Sequence, residues 1–375
     1  MAAFLELAAE LAGMIYIHVP FCTVKCAYCD FYSVARPDMA DAFVDAVAVE
    51  YAARKDELDG CRPSTLYIGG GTPSLLNPGC FRRLVEGVGN PSVEEFTVEV
   101  NPDDVDRQHI EAWLAAGVNR VSMGVQSLED AELKAVGRRH DSRQALEAIA
   151  LLQTCGITNI SADLIYGLPG QTPESFGRSM HKLLASGITH LSAYCLSYEE
   201  GTRLWRWREQ GRVMPADEDT LVDMYTLLCR ETAVAGFEHY EISNFAKPGY
   251  RSRHNSGYWR GEPYLGLGPG AHSLDCRGIR RYVPSDLRTY LKSPAAAAVV
   301  DEEDDTDRSN DRIMVSLRTS SGLNLSQFTD GEKASIMKSA CRYLSTGQLV
   351  ATDDGIVIPE KYWLLSDAII RDLLL

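Results

Sequence analysis

The 375-residue sequence has no run of 18 apolar residues, no basic excess and no dense set of cysteines. A membrane-spanning helix needs about 20 consecutive apolar residues, so none is expected. The formal net charge is −15, from 37 Lys and Arg against 52 Asp and Glu. That balance argues against nucleic acid as a partner, because a phosphate backbone demands a basic face. Peripheral contact with a membrane surface stays open. Residues 1–13 carry acids and no basic segment, which excludes a secretory signal and predicts a short amphipathic helix or extension. Ten cysteines in a chain this long do not make a disulfide framework, and a reducing cytoplasm is expected. Cys61, Cys80, Cys155, Cys195, Cys229, Cys276 and Cys341 lie singly and read as ordinary filler.

The other three cysteines, Cys22, Cys26 and Cys29, are spaced C-x3-C-x2-C with no fourth close behind. Soft thiolates select iron–sulfur clusters or zinc. Three of them hold three irons of a cubane [4Fe-4S] cluster and leave the fourth iron open to another ligand. A zinc site completed by His18 or Asp30 is the rival, although zinc knuckles favour paired cysteines far apart.

From Met14 to about Leu196, short β-rich runs alternate with stretches of 3.6-residue apolar spacing. Strands are expected at 15–19, 65–68, 96–100, 120–125, 160–166 and 191–196, with helices at 40–58, 80–88, 109–116, 143–155 and 173–186. A repeated βα unit gives a parallel sheet with right-handed crossovers. Six strands predict an α/β fold, an open partial (β/α)6 barrel, with chemistry at the C-terminal strand ends. The expected divisions are an extension (1–13), a core (14–197), a segment carrying His254-Asn-Ser-Gly-Tyr258-Trp259 (198–299), and a small winged-helix-like C-terminal domain (300–375). The acidic run Asp301–Asp307 reads as a solvated linker.

Chemistry-bearing residues fall at the strand ends. Gly69-Gly70-Gly71-Thr-Pro73 follows the second strand and lacks the Lys-Ser/Thr of a phosphate loop, so backbone groups face the site. Glu99, Gln126 and Asp163 are polar residues in otherwise apolar strands, a cost unless they are satisfied. A buried structural hydrogen bonder is the competing reading for any one of them; three at successive strand ends suggest a polar cofactor site. Arg138 could pair with a cofactor carboxylate, with Arg139 the competing choice.

The cysteine spacing, with an aromatic residue before the third cysteine, resembles the radical S-adenosylmethionine (SAM) superfamily. Tyr16-Ile-His-Val-Pro-Phe-Cys22, Gly69–Pro73, Ser122-Met-Gly-Val-Gln126 and Asp163–Thr172 narrow the resemblance to the oxygen-independent coproporphyrinogen III oxidase-like family. The resemblance implies that SAM chelates the open iron and is cleaved to a 5′-deoxyadenosyl radical. It also implies that Tyr16, Gly70, Gly71, Glu99, Gln126, Arg138 and Asp163 line the SAM site, and that an electron donor serves the cluster.

Departures from the oxidase pattern are as informative. The oxidases carry a fourth cysteine where this chain has Phe31, and a long arm before the first strand where this chain has 13 residues. The His254-Asn-x-x-Tyr-Trp259 run and the small C-terminal domain instead resemble the haem-chaperone branch of that family. That branch implies haem b as cargo, passed to haem-accepting respiratory or other haem proteins. Oxidative decarboxylation of coproporphyrinogen III is the competing reading, and whether the chain turns over a substrate stays open. Haem needs an aromatic slot and an axial ligand. His254 with Tyr258 and Trp259 is the expected set, against a purely structural role for His254 and against His272 as ligand.

Overall fold

The computed structural model describes residues 12–58 and 60–375. The extension expected over 1–13 lies outside them except for its last two residues, which open the first strand. Six strands, β1 (Ala12–Val19), β2 (Arg62–Gly70), β3 (Glu95–Val100), β4 (Arg120–Gln126), β5 (Ile160–Tyr166) and β6 (His190–Cys195), are parallel neighbours in chain order. Between them run α1 (Ala40–Arg54), α2 (Pro78–Gly87), α3 (Arg107–Ala115), α4 (Asp130–Ala135), α5 (Ser142–Thr154) and α6 (Pro173–Ala185). This is the expected open (β/α)6 barrel. Ile15, Ile17, Leu66, Ile68, Val98, Val121, Met123 and Leu164 are fully buried, as in parallel sheets covered on both faces.

The helices start where the sequence supplies caps. Asn77 Oδ1 accepts from Cys80 N at 2.9 Å, and Asp106 Oδ1 from His109 N at 2.9 Å. Asp141 with Gln144 and Thr172 with Ser175 make reciprocal capping boxes, the latter with Pro173 in the first turn.

Beyond β6 come α7 (Arg203–Glu209), α8 (Glu218–Val234), β7 (Glu238–Glu241), β8 (Asn244–Ala246), α9 (Arg253–Arg260), β9 (Tyr264–Leu267), β10 (His272–Leu274), β11 (Arg280–Tyr282), α10 (Leu287–Lys292) and β12 (Val299–Val300). These short strands extend the barrel sheet at both edges. β8 pairs antiparallel to β6, whereas β9 pairs parallel to β1 and leads to antiparallel β10, β11 and β12. The sequence pattern gives a helix over 217–235, which is α8, and only a turn-rich segment after it.

The C-terminal part holds α11 (Asp305–Ser316), β13 (Leu323–Asn324), α12 (Asp330–Thr346), β14 (Val350–Ala351), β15 (Gly355–Val357) and α13 (Ser366–Leu373), with a 3-10 turn at Glu360–Leu365. β13, β15 and β14 form a separate sheet, and residues from Ile313 to Leu373 make a second hydrophobic cluster around Trp363. One local expectation needs correction. The acidic run is only partly linker. Asp304 caps α11 in a box with Asp307, and Asp305 and Asp307 sit in its first turn, where the helix dipole favours negative charge.

Candidate cofactor site

The cysteine loop leaves the C-terminal end of β1 and is tied down through its backbone. Val34 N donates to Pro20 O at 2.8 Å, Ala27 N to Val136 O at 2.9 Å, and Leu204 N to Ala27 O at 2.8 Å. Tyr28 packs on Val136, Ile165 and Leu168, so the aromatic before Cys29 anchors the loop to the barrel. Cys22 Sγ lies 3.3 Å from Thr72 Oγ1, and Arg138 Nη1 donates to Cys26 Sγ at 3.5 Å. Burial pushes the Cys29 thiol up to about 11, and the neighbouring Cys26 and Cys22 add to the rise. A buried thiol beside two others, as Cys29 is, ionises readily only beside a cation. The donor set therefore suits a three-cysteine cluster. The ring nitrogens of His18 are engaged by Tyr16 Oη (3.1 Å) and Tyr32 O (2.9 Å), which leaves neither free to complete a zinc site. Phe31, at the position of the oxidases' fourth cysteine, is 64% exposed.

The glycine run closes over this loop. A Cβ on Gly71 would stand 2.6 Å from Phe21 O, and Gly70 has φ 110°, so neither position tolerates a side chain. Gly71 N donates to Val19 O at 2.8 Å. Gly70 N donates to Glu99 Oε2 at 3.0 Å, and Tyr67 Oη donates to Glu99 Oε1 at 2.8 Å. Gln126 ends β4 at φ 67°, a left-handed conformation rare outside glycine, next to an irregularity in its pairing with β5. Such strain at a strand end is characteristic of functional sites.

Electrostatics define what the barrel mouth accepts. Burial, with the Asp163 charge adding to it, raises Glu99 to about 7 against the opposing Tyr67 and Gly70 hydrogen bonds. Burial raises Asp163 to about 6, opposed by Ser192 and Arg120. Two carboxylates held up this way favour a cationic ligand between them. Arg138 Nη2 donates to Asn101 Oδ1 at 2.7 Å and also to Gly124 O, while its buried Nε has no partner. An unpaired guanidinium N–H in electrostatic reach of Asp163 suits a zwitterion with sulfonium, ammonium and carboxylate groups. Arg139 instead pairs with Asp103 (3.2 Å) and Asp104 (3.0 Å). Tyr67, Asn101 and Arg120 escaped sequence reasoning. Arg120, a fully buried cation at the start of β4, carried the one readable signal.

The His254 segment packs against β2 and the start of β3. Ser252 caps α9, and the His254 ring is buried beneath β2. Its Nδ1 is 2.7 Å from Thr65 Oγ1 and its Nε2 is 2.9 Å from Tyr258 Oη, with Tyr67 stacked at 5.0 Å. Both nitrogens are thus engaged, and one would have to leave its partner before meeting iron. Beside this helix opens a cleft of about 1710 Å³, bounded by Tyr258, Trp259, Tyr264, Arg280, Arg308 and His272. Trp259 Nε1 is buried without a partner. Burial and Arg280 lower the His272 pKa, which keeps that imidazole neutral. No helix among the described residues is long and apolar enough to cross a membrane.

Residues 16–183 match the family described as the Radical SAM superfamily. The chain is 36% identical to the protein named heme chaperone HemW of Lactococcus lactis subsp. lactis, over 86% of each chain. It is 32% identical to heme chaperone HemW of Mycobacterium tuberculosis (strain ATCC 25618 / H37Rv), over 99% of each. Its fold matches the solved structure of coproporphyrinogen III oxidase (HemN) from Escherichia coli with a TM-score of 0.83 at 23% identity, covering 100% of this chain and 93% of that one. The chain belongs to the HemW family of the radical SAM superfamily.

Proposed function

We propose that this chain is a haem chaperone that carries a [4Fe-4S] cluster and SAM and hands haem b to acceptor haem proteins. Near-complete coverage at 32% identity with a relative named heme chaperone carries the reading. In this proposal Cys22, Cys26 and Cys29 hold the cluster. Tyr16, Gly70, Gly71, Glu99, Gln126, Arg138 and Asp163 bind SAM. When bound, the reduced cluster supplies an electron to the sulfonium of SAM. The protein's own part is to orient the ligand: Tyr67 and Gly70 fix the Glu99 carboxylate, and Asn101 fixes Arg138.

Haem is assigned to the cleft beside α9. Trp259 and Tyr258 offer an apolar face; Arg280, paired with Glu303 and Asp311, and Arg308, paired with Asp305, would exchange those carboxylates for propionates. His272, partly exposed at the wall and neutral, is the imidazole within reach of iron. His254, with Thr65 and Tyr258, holds the helix that carries the aromatic face, and can ligate only after opening. The divisions 14–197, 198–299 and 300–375 belong to the same proposal, because the cleft draws residues from all three. Haem titration of the cluster-loaded chain tests it. His272→Ala should lose the Soret shift with fold and iron content intact, and Trp259→Ala should weaken binding. Loss in His254→Ala alone, with the fold intact, would return the ligand to His254. Unchanged binding in all three variants would remove haem from this cleft.

A further inference from the structure

Apart from the cysteine loop, one cysteine, one histidine and one carboxylate converge on a single point. They are Cys229 of α8, His239 of β7 and Glu360 of the 3-10 turn before α13, and their ligating atoms lie within 4.8 Å of one another. Cys229 Sγ is 3.9 Å from His239 Nδ1, and His239 Nδ1 is 2.8 Å from Glu360 Oε1. We propose that this triad is a divalent transition-metal site, filled by zinc, that pins the C-terminal part to the barrel.

The imidazole is set for it. Phe245 stacks on the His239 ring at 4.0 Å and Trp363 meets it edge-on at 4.3 Å, so the ring cannot turn freely. His239 Nε2 faces Ile242 O at 3.4 Å, the outer-shell contact that fixes the tautomer of many metal-bound histidines. The 2.8 Å approach to Glu360 is a hydrogen bond when Nδ1 carries the proton; with the proton on Nε2, the Nδ1 lone pair faces Glu360 and Cys229 together and is open to a cation. Zinc takes sulfur at about 2.3 Å and nitrogen or oxygen at about 2.0–2.2 Å, so donor atoms around it stand about 3.4–3.7 Å apart. The observed 2.8 and 3.9 Å bracket that spacing, and with all three atoms within 4.8 Å of one another, movements of up to about 1 Å reach it.

Two further observations agree. Tyr225, buried and facing His239 edge-on at 6.1 Å, keeps its hydroxyl beside Cys229 with no hydrogen bond of ordinary geometry. The His239 side chain is 5% exposed, whereas that of Glu360 is 54% exposed. The ion therefore has a solvent-facing side for entry and for a water as fourth ligand.

The site is independent of the haem reading, and zinc counting separates the two. The full chain is loaded with its iron–sulfur cluster anaerobically, dialysed against buffered zinc and analysed for zinc and iron together. The wild type should hold about one zinc per chain beyond its iron. Glu360→Gln, a shape-preserving change at an exposed position, and Cys229→Ser should each lose it with iron content and helicity unchanged. Replacing Cys22, Cys26 and Cys29 with alanine should remove the iron and leave the zinc. An empty wild type would overturn the proposal. So would zinc retained in both triad variants, or zinc that disappears with the loop cysteines.

Discussion

Replacing Glu99 with glutamine should make the apoprotein more stable and bind SAM less well. In the fold Glu99 is raised from an ordinary 4.5 to about 7, chiefly by burial and next by Asp163. Between those values the folded chain keeps a proton that the unfolded chain has lost. Stability therefore falls as pH rises through that window. At about 1.4 kcal/mol per unit, ionising Glu99 costs the fold about 3 kcal/mol by pH 8. The barrel mouth admits some water, so a gain of about 1–3 kcal/mol is expected for Glu99→Gln. The assay is urea unfolding of the cluster-free chain at pH 8 and at pH 4.5. The variant should be the more stable at pH 8, and the gap should close at pH 4.5, where wild-type Glu99 is protonated. The same substitution removes a charge-assisted contact worth about 1.5–3 kcal/mol, which is about ten- to a hundredfold in SAM affinity. A gap of equal size at both pH values, or a variant less stable at pH 8, would refute the electrostatic account of this site.

Other outcomes follow from the same geometry. Cys22→Ala/Cys26→Ala/Cys29→Ala should retain almost no iron or sulfide after anaerobic reconstitution; a full cubane would displace the ligand assignment. Asp163→Asn should weaken SAM binding by about ten- to a hundredfold, and unchanged calorimetric affinity would remove Asp163 from the site. With exposed Phe31 in place of a fourth cysteine, anaerobic incubation with coproporphyrinogen III, SAM and reductant should give no multiple turnover. Protoporphyrinogen accumulating on chromatography would favour the oxidase reading instead.

The barrel was legible because its strands are buried on both faces and read as compact apolar runs bounded by capped helices. β5 falls at Ile160–Tyr166 as expected, and the other five core strands differ only at their ends. Strands β7 to β12 were not legible. They have two to four residues each and owe their conformation to the edges of β6 and β1 rather than to local pattern. The six-residue α4 is too short for periodicity to reveal. Glu99, Gln126 and Asp163 stood out as polar residues in apolar strands, but the tyrosine that orients Glu99 looked like ordinary strand filler. His254 shows the limit most clearly. Its aromatic neighbours were visible in sequence, whereas Thr65, 189 residues away, holds one of its nitrogens. The Cys229–His239–Glu360 triad was invisible for the same reason, with His239 and Glu360 separated by 121 positions.

The central claim is tested most directly by haem transfer. The cluster-loaded chain is charged with one equivalent of haem and mixed with a haem-depleted respiratory protein, with and without SAM. The chaperone account predicts that the acceptor gains its haem spectrum and activity as the chain loses its own, faster than from free haem at the same concentration. No transfer in either arm, or transfer no faster than from free haem, would contradict it.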